Sequence, residues 1–538
     1  MFNIPTVTIA SRKLGVAESS VTLNVNTSAL SFTPMHLVVR VNGFASSAAE
    51  VALRFNGDSG SNYHRQMARG QSTTAASGQF LAETSYKFGS FGTSLTTPSG
   101  GEVLIADALS TRGLKNVVAL TGYQGEGEFV SFQGRWDNTA AITSVTIINT
   151  GSGDFGAGST FELCVVDESF NVDEEILTGT GAFSNVTIPD SDGDLVHIAN
   201  IRSGRDNAGD NLILFFNGDE TATNYDAQFM SANGSSFTAY HRDDAVIGYS
   251  PATLSQAGCF GLTVAVTQNY ANASNDKHTE ALTGFIRSAS DSAAAYNSLF
   301  TPISRRWGST AAITSTQFES QQTDTSLVGS MVSIYVVPKN LIERQELTAG
   351  TGTSATITFS SIPQTYDHLE LSIYGRTDGE VDRRDIILSV NADTTNTNYD
   401  AQFLDAEATT VSAFVNTGSS ATARYIARLA GNTATSNVFG SNTTTFYNYT
   451  KTDRQKHYLS YGGAVGVAAT DNPYMRMSSS RFESTAAISS LVVTAESADD
   501  FMIGSVFELR GIKKPSSAVV GDMTSVNGVA VANITAVN

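Results

Sequence analysis

The sequence predicts an all-β chain of three tandem antiparallel β-sandwiches, jelly-roll-like, followed by a short extended C-terminal tail. Three observations predict it. A ten-residue block is written three times, as RWDNTAAITS at 135–144, RWGSTAAITS at 306–315 and RFESTAAISS at 481–490, at intervals of 171 and 175 residues. Short apolar runs alternate with period two, as half-buried strands do, and helical period is almost absent. The composition is 41% hydrophobic but only 15% charged. Ser, Thr, Asn, Ala and Gly fill the polar positions, which suits short strands and neutral loops rather than long helices. A chain of 538 residues is too long for one core. A parallel β-helix would repeat every ~20–30 residues, and no such period is present.

Each copy opens with a strand: FTPMHLVVRV (32–41), IPDSDGDLVHIANI (188–201) and IPQTYDHLELSIYG (362–375). A second shared block follows at 51–67, 212–230 and 386–404. Its strand ends at Asn56, Asn217 and Asn391. Asp58, Asp219 and Asp393 then open a turn, for which short polar side chains are suited. The strand resumes at Tyr63, Tyr225 and Tyr399, with Gln66, Gln228 and Gln402 three residues on. A weaker third block starts at Lys115, Lys277 and Lys456. The ten-residue block then supplies Arg135 and Trp136, Arg306 and Trp307, Arg481 and Phe482. In every copy a Gly-Ser pair lies 23 residues beyond the Arg (Gly158, Gly329, Gly504), leading into TFELCVV, MVSIYVV or VFELRGI. That fixed spacing predicts a hairpin-like or sheet-crossing pair of strands.

About eight short strands per copy are expected, in three independent sandwiches over 1–170, 171–340 and 341–514, each with its own core. DESFNVDEEIL (167–177) and PKNLIERQEL (338–347) read as linkers. Residues 515–538 are too few to bury a core of their own. Their Val526, Val529, Val531, Ile534 and Val537 are expected to dock on another surface, making the tail an assembly element.

The net charge of −19 and pI near 4.7 argue against nucleic acid as a partner, because phosphate binding runs on Lys and Arg clusters. Cys164 and Cys259 fall in different copies, so neither a disulfide framework nor zinc is expected. The N-terminus has no apolar core of signal-peptide length and no run reaches transmembrane length. The expectation is a soluble chain without membrane insertion. GSGDFG (151–156) fits GxGxxG, but a strand follows it and the other copies lack the glycines, so it reads as a turn.

Each repeated polar residue has two readings. The motif arginines either grip a glycan or carboxylate, or tie a loop to backbone carbonyls while Trp136, Trp307 and Phe482 fill the core. Asp58, Asp219 and Asp393 with the nearby Asn-Tyr either bind calcium or form Asx turns. The structural reading is preferred in both cases. No catalytic residue, cofactor or metal is expected, and no histidine stands in an HExxH or Ser/His/Asp context.

ITFSSIPQTYDHLELSIYGRT, NGDSGSNY, and TAAITS followed by GSTFELCVV or GSVFELRGI resemble a repeat domain of tailed-bacteriophage virion proteins. TSVNGVAVANITAVN resembles C-terminal segments of similar proteins. The resemblance covers about residues 20–512, and the tail separately. Copy 1 departs most, with SFTPMHL in place of the Ile-Pro-x-x-Tyr opening. The resemblance implies a non-enzymatic structural component located in the virion, assembled in the host cytoplasm. It implies a fibre or tail-associated protein, with capsid decoration as the alternative. The partners it implies are other virion proteins, sister subunits in a homo-oligomer (a trimer) and host-surface glycan. A non-viral glycan-binding protein and a polysaccharide-degrading enzyme are the remaining classes.

Overall fold

In the computed structural model, the structure describes residues 4–512 apart from 48, 124–126, 287–297, 322–324, 339–340, 419 and 466–472. The C-terminal tail, 515–538, lies outside the described residues. The elements are strands joined by turns, with a few single-turn 3-10 helices.

Copy 1 contains β1 (Thr6–Lys13), β2 (Ser20–Asn24), β3 (Leu37–Gly43), β4 (Ala49–Phe55), β5 (Tyr63–Gln71), β6 (Thr74–Glu83), β7 (Tyr86–Phe91), β8 (Ser99–Ala106), β9 (Lys115–Tyr123), β10 (Glu128–Trp136), β11 (Ser144–Asn149) and β12 (Thr160–Val166). Eight of these form one sheet in the order β1-β12-β3-β8-β9-β10-β5-β6. The other four form a second sheet in the order β2-β11-β4-β7. Copy 2 repeats both orders with twelve strands between Asn171 and Pro338, and copy 3 with twelve between Leu341 and Ile512. Among the described residues every pairing between these strands is antiparallel, and each sheet ends in two edge strands.

Within each copy the two sheets face each other across an apolar core. Val39, Val103 and Phe132 of the large sheet of copy 1 meet Leu53, Val145 and Ile147 of the small one. The other copies have counterparts of this core. A further core belongs to no single copy. Leu104, Val118 and Phe129 of copy 1 pack with Ile198, Met230 and Val264 of copy 2 and with Leu404, Leu459 and Met477 of copy 3.

The expected fold is therefore corrected. Three tandem jelly-roll-like sandwiches of about eight strands, each standing on its own core, would leave the second face of every sheet to water. Instead the described residues of each copy form twelve strands, split eight and four, and the backs of the three large sheets close on one another. Strands such as Lys115–Tyr123, Gly261–Gln268 and Lys456–Ala464 are buried along their whole length. The two expected linkers are also corrected. Asn171–Ile176 and Leu341–Glu346 are edge strands of the large sheets of copies 2 and 3. The strand pair after the motif Arg crosses between sheets, since β11 lies in the small sheet and β12 in the large one.

The arrangement has a cyclic threefold pattern. Gln66 Nε2 donates to Gly234 O of copy 2 at 2.9 Å, Gln228 Nε2 to Ala408 O of copy 3 at 2.9 Å, and Gln402 Nε2 to Ser72 O of copy 1 at 3.1 Å. Each acceptor lies in the turn that ends the Gln-bearing strand in the next copy. The three hairpins carrying these turns, Tyr63–Glu83, Tyr225–Arg242 and Tyr399–Asn416, pack against one another. Three bonds of one kind running 1→2→3→1 close a ring within a single chain.

Candidate functional site

The repeated polar residues converge on one lock in each copy, and the lock joins two blocks far apart in sequence. Asn217 sits at φ +53°, in the left-handed region that Asn tolerates best among residues other than Gly. Its Oδ1 accepts from Thr314 N at 2.7 Å and Ser315 N at 3.1 Å, and its Nδ2 donates to Ala312 O at 2.8 Å. Asn56 makes the same three bonds to Thr143, Ser144 and Ala141, and Asn391 to Ser489, Ser490 and Ala487. The recurring TAAITS therefore provides a backbone shape that one Asn side chain reads. Asn217→Ala is expected to destabilise the chain by about 2 kcal/mol, through lost hydrogen bonds and a Cβ-bearing residue without a local partner at positive φ. Asn217→Gly, which removes the strain but not the lost bonds, should fall between the two in a thermal melt. Equal melting of Asn217→Ala and the parent chain would remove the lock.

The aspartates are equally occupied. Asp219 Oδ1 accepts from Thr221 N at 3.0 Å, closing an Asx turn. Its Oδ2 accepts from Asn224 Nδ2 at 2.8 Å and Trp307 Nε1 at 2.8 Å. Asp58 accepts in the same way from Gly60 N, Asn62 and Trp136. Asp393 accepts from Thr395 N and Asn398, but Phe482 has no N–H to offer it. These donors are of the kind that compete with a calcium ion, so the carboxylates are turn caps. Burial alone would raise their pKa values, but the hydrogen bonds outweigh it and hold all three below the usual carboxylate value.

The sign of the pH effect follows. A depressed folded-state pKa contributes stability that is full above the unfolded value of 3.8 and is lost as pH falls through the lower folded value. The melting temperature is expected to drop on acidification below pH 3.8, and the Asp58→Asn, Asp219→Asn, Asp393→Asn triple variant to show a shallower drop. Parallel acid limbs for the two chains would contradict this.

Tyr63, Tyr225 and Tyr399 complete the lock. Tyr225 OH donates to Asp219 O at 2.9 Å and accepts from Phe216 N at 3.1 Å, and the other two repeat the pattern. Their rings lie against Trp136, Trp307 and Phe482, all buried in the cores between sheets.

The motif arginines differ from the expected loop-to-carbonyl tie. Register places Arg306 opposite Asp226 and Arg481 opposite Asp400, and both pairs form ion pairs. Opposite Arg135 stands His64, and Asp137 takes the guanidinium instead at 2.6 Å. Carbonyl contacts do occur, but they reach into the next copy: Arg135 Nη1 to Ile286 O at 2.7 Å and Arg481 Nη1 to Thr96 O at 2.7 Å. Lys115, Lys277 and Lys456 end on backbone carbonyls of their own copies. Burial pushes each ammonium down to about 8.

Cys164 and Cys259 are buried free thiols. Asp226, His241 and Asp243 bring three ligand-type atoms within 4.8 Å of one another. The Arg306 guanidinium lies against the Asp226 carboxylate, so that carboxylate already has a cationic partner.

Copy 2 has a cleft of about 450 Å3 bordered by Asn211, Ser231, Asn233, Tyr240, Tyr249 and Leu299. None of these residues belongs to the repeated signature, so the sequence reading passed over them.

No protein-family model matches the chain, and no curated protein matches it. Among solved structures, it aligns with Pseudomonas aeruginosa OccK2 (OpdF) in complex with glucuronate at 9% identity, over 84% of this chain and 100% of that one, with a TM-score of 0.09. It aligns with a BenF-like porin from Pseudomonas fluorescens Pf-5 at 9% identity, over 82% and 100%, with a TM-score of 0.10. Scores this low do not indicate a shared fold, and neither likeness enters the argument. No helix among the described residues is long and apolar enough to cross a membrane.

Proposed function

We propose that the chain is a non-enzymatic structural component of a bacteriophage virion, a fibre or tail-associated protein that touches host-surface glycan. Capsid decoration is the alternative position. The observation that carries the reading is the closed ring of Gln66, Gln228 and Gln402, by which one chain builds a threefold body. A body of that symmetry suits a seat on a partner with a threefold axis, because three equivalent patches can then be used at once. Residues repeated in all three copies spend their polar atoms on turns, strand ends and neighbouring copies, as a scaffold requires.

The trimer of chains that the resemblance implies is not needed to produce this symmetry, since one chain already supplies it. Sister chains and other virion proteins remain proposed partners. The test is immunogold labelling of purified virions with antibody against the chain. Label at the tail or its fibres is the expected result, and label over the capsid shell would select decoration. Virions free of label would end the virion reading.

A further inference from the structure

The three copies differ at one corresponding place, the place where copy 2 has the cleft. The strand registers give the correspondence. Tyr225–Asn233 matches Tyr399–Glu407 in copy 3, so Ser231 corresponds to Asp405. Leu299–Trp307 matches Tyr474–Phe482, so Thr301 corresponds to Arg476 and Leu299 to Tyr474. By the pairing of the small sheets, Asn211 opposite Tyr249 corresponds to Asp385 opposite Arg428.

In copy 3 this space is full. Arg476 lies over the Phe403 ring at 4.7 Å and bonds Asp385 Oδ1 and Asp405 Oδ2, each at 2.8 Å. Arg428 holds Asp385 from the other side at 2.7 Å. In copy 1 the positions of Ser231 and Leu299 are Arg69 and Glu128, which pair at 2.7 Å across the same gap. Copy 2 has replaced long, mutually satisfied ions by Ser, Thr and Leu, and the volume they would occupy is open.

We propose that this cleft is a saccharide site that takes one uncharged, hydroxyl-rich ring. It gives a location to the glycan contact of the reading above, on which it rests. The volume is in the range of small-ligand sites. Arg205 and Asp210 at its border face each other at 3.4 Å, and Asp210 also accepts from Ser203 Oγ at 2.8 Å. The pair is neutral as a unit, so a charged ligand gains little from it. A wholly apolar ligand would desolvate the amide of Asn233 and the hydroxyls of Ser231 and Thr238 without replacing their hydrogen bonds. A ring bearing hydroxyls satisfies both constraints, with Tyr249 and Phe285 supplying apolar wall. The wall is preorganised: Tyr240 stacks on Phe229 at 4.9 Å with 7° between the planes, and its hydroxyl bonds that of Tyr249.

Titration calorimetry of the full chain with glucose, galactose, N-acetylglucosamine and glucuronate tests the site. Saturable binding of at least one of the three neutral sugars is expected, with glucuronate weaker by about tenfold or more, a difference of ~1.4 kcal/mol. Thr301→Arg puts the copy 3 residue into copy 2. The Ser231→Arg, Leu299→Glu double variant recreates the pair of copy 1. Each is expected to weaken binding about tenfold or more while the chain still melts cooperatively. Asn233→Ala, a smaller change, should weaken it without filling the cleft. Absence of binding by every neutral sugar overturns the proposal, as does binding undiminished in whichever filled variants remain folded. Either failure leaves immunogold labelling of virions as a separate test of the virion reading.

Discussion

Residues 341–512 produced alone are expected not to persist as a folded monomer. In the whole chain, Leu404, Tyr447, Leu459, Tyr461, Met475 and Met477 of copy 3 are buried in the core shared with copies 1 and 2. Excision turns that face to water. Burial of one such side chain stabilises by ~1.5–3 kcal/mol, so six of them match the ~5–15 kcal/mol net stability of an ordinary domain. Polar partners go too. Tyr461 OH loses Ala281 O and Ile303 O, Ser441 loses Glu280, and Arg510 loses Asp194. The expected product is aggregate, or a self-assembled trimer in which three identical copies replace the three unequal ones. Light scattering with far-UV circular dichroism decides. A monodisperse monomer with β signal and a cooperative melt would show that the shared core is dispensable.

The period-two strands, the copy boundaries and the signature residues were legible because they are local or repeated. Asn217, Asp219 and Tyr225 could be placed at a strand end and turn from their order alone, since Asn and Asp recur where side chains cap backbone. What they bind was not legible, because the partner of Asn217 lies at Ala312, Thr314 and Ser315. The repeat of both blocks was the available signal that they touch.

The shared core was missed for a compositional reason. The second face of the large sheets carries Gln66, Gln228, Gln268, Ser304, Thr443 and Ser479 among its apolar residues, and all of these are buried. Read by alternation, such residues look like a solvent face. They differ from a solvent face in where their partners lie: Ser, Thr and Gln are satisfied by a neighbouring copy, as Gln268 is by Thr443 at 2.9 Å, and charged residues on that face also pair across copies, as Arg510 does with Asp194 at 2.6 Å. A low charged fraction suits neutral loops, and it suits the Ser-, Thr- and Gln-bearing interfaces between copies as well.

Trp307→Ala is expected to cost ~3–5 kcal/mol, the range for removing a large aromatic side chain from a core. The indole is 3% exposed. It packs edge-on to Phe216 at 5.6 Å and in parallel with Tyr225 at 6.4 Å. Its Nε1 also supplies one donor to the Asp219 carboxylate. Copy 3 separates these contributions, because Phe482 fills the same place without an N–H and Asp393 manages with two donors. Trp307→Phe should therefore cost less than Trp307→Ala, by most of the cavity contribution, and retain a small loss of ~1 kcal/mol for the missing hydrogen bond. Because copy 2 shares a core with both neighbours, the loss should lower the melting of the whole chain in one transition. A separate early transition assigned to copy 2, with the rest unchanged, would mean that the copies unfold independently and would count against the shared core as well.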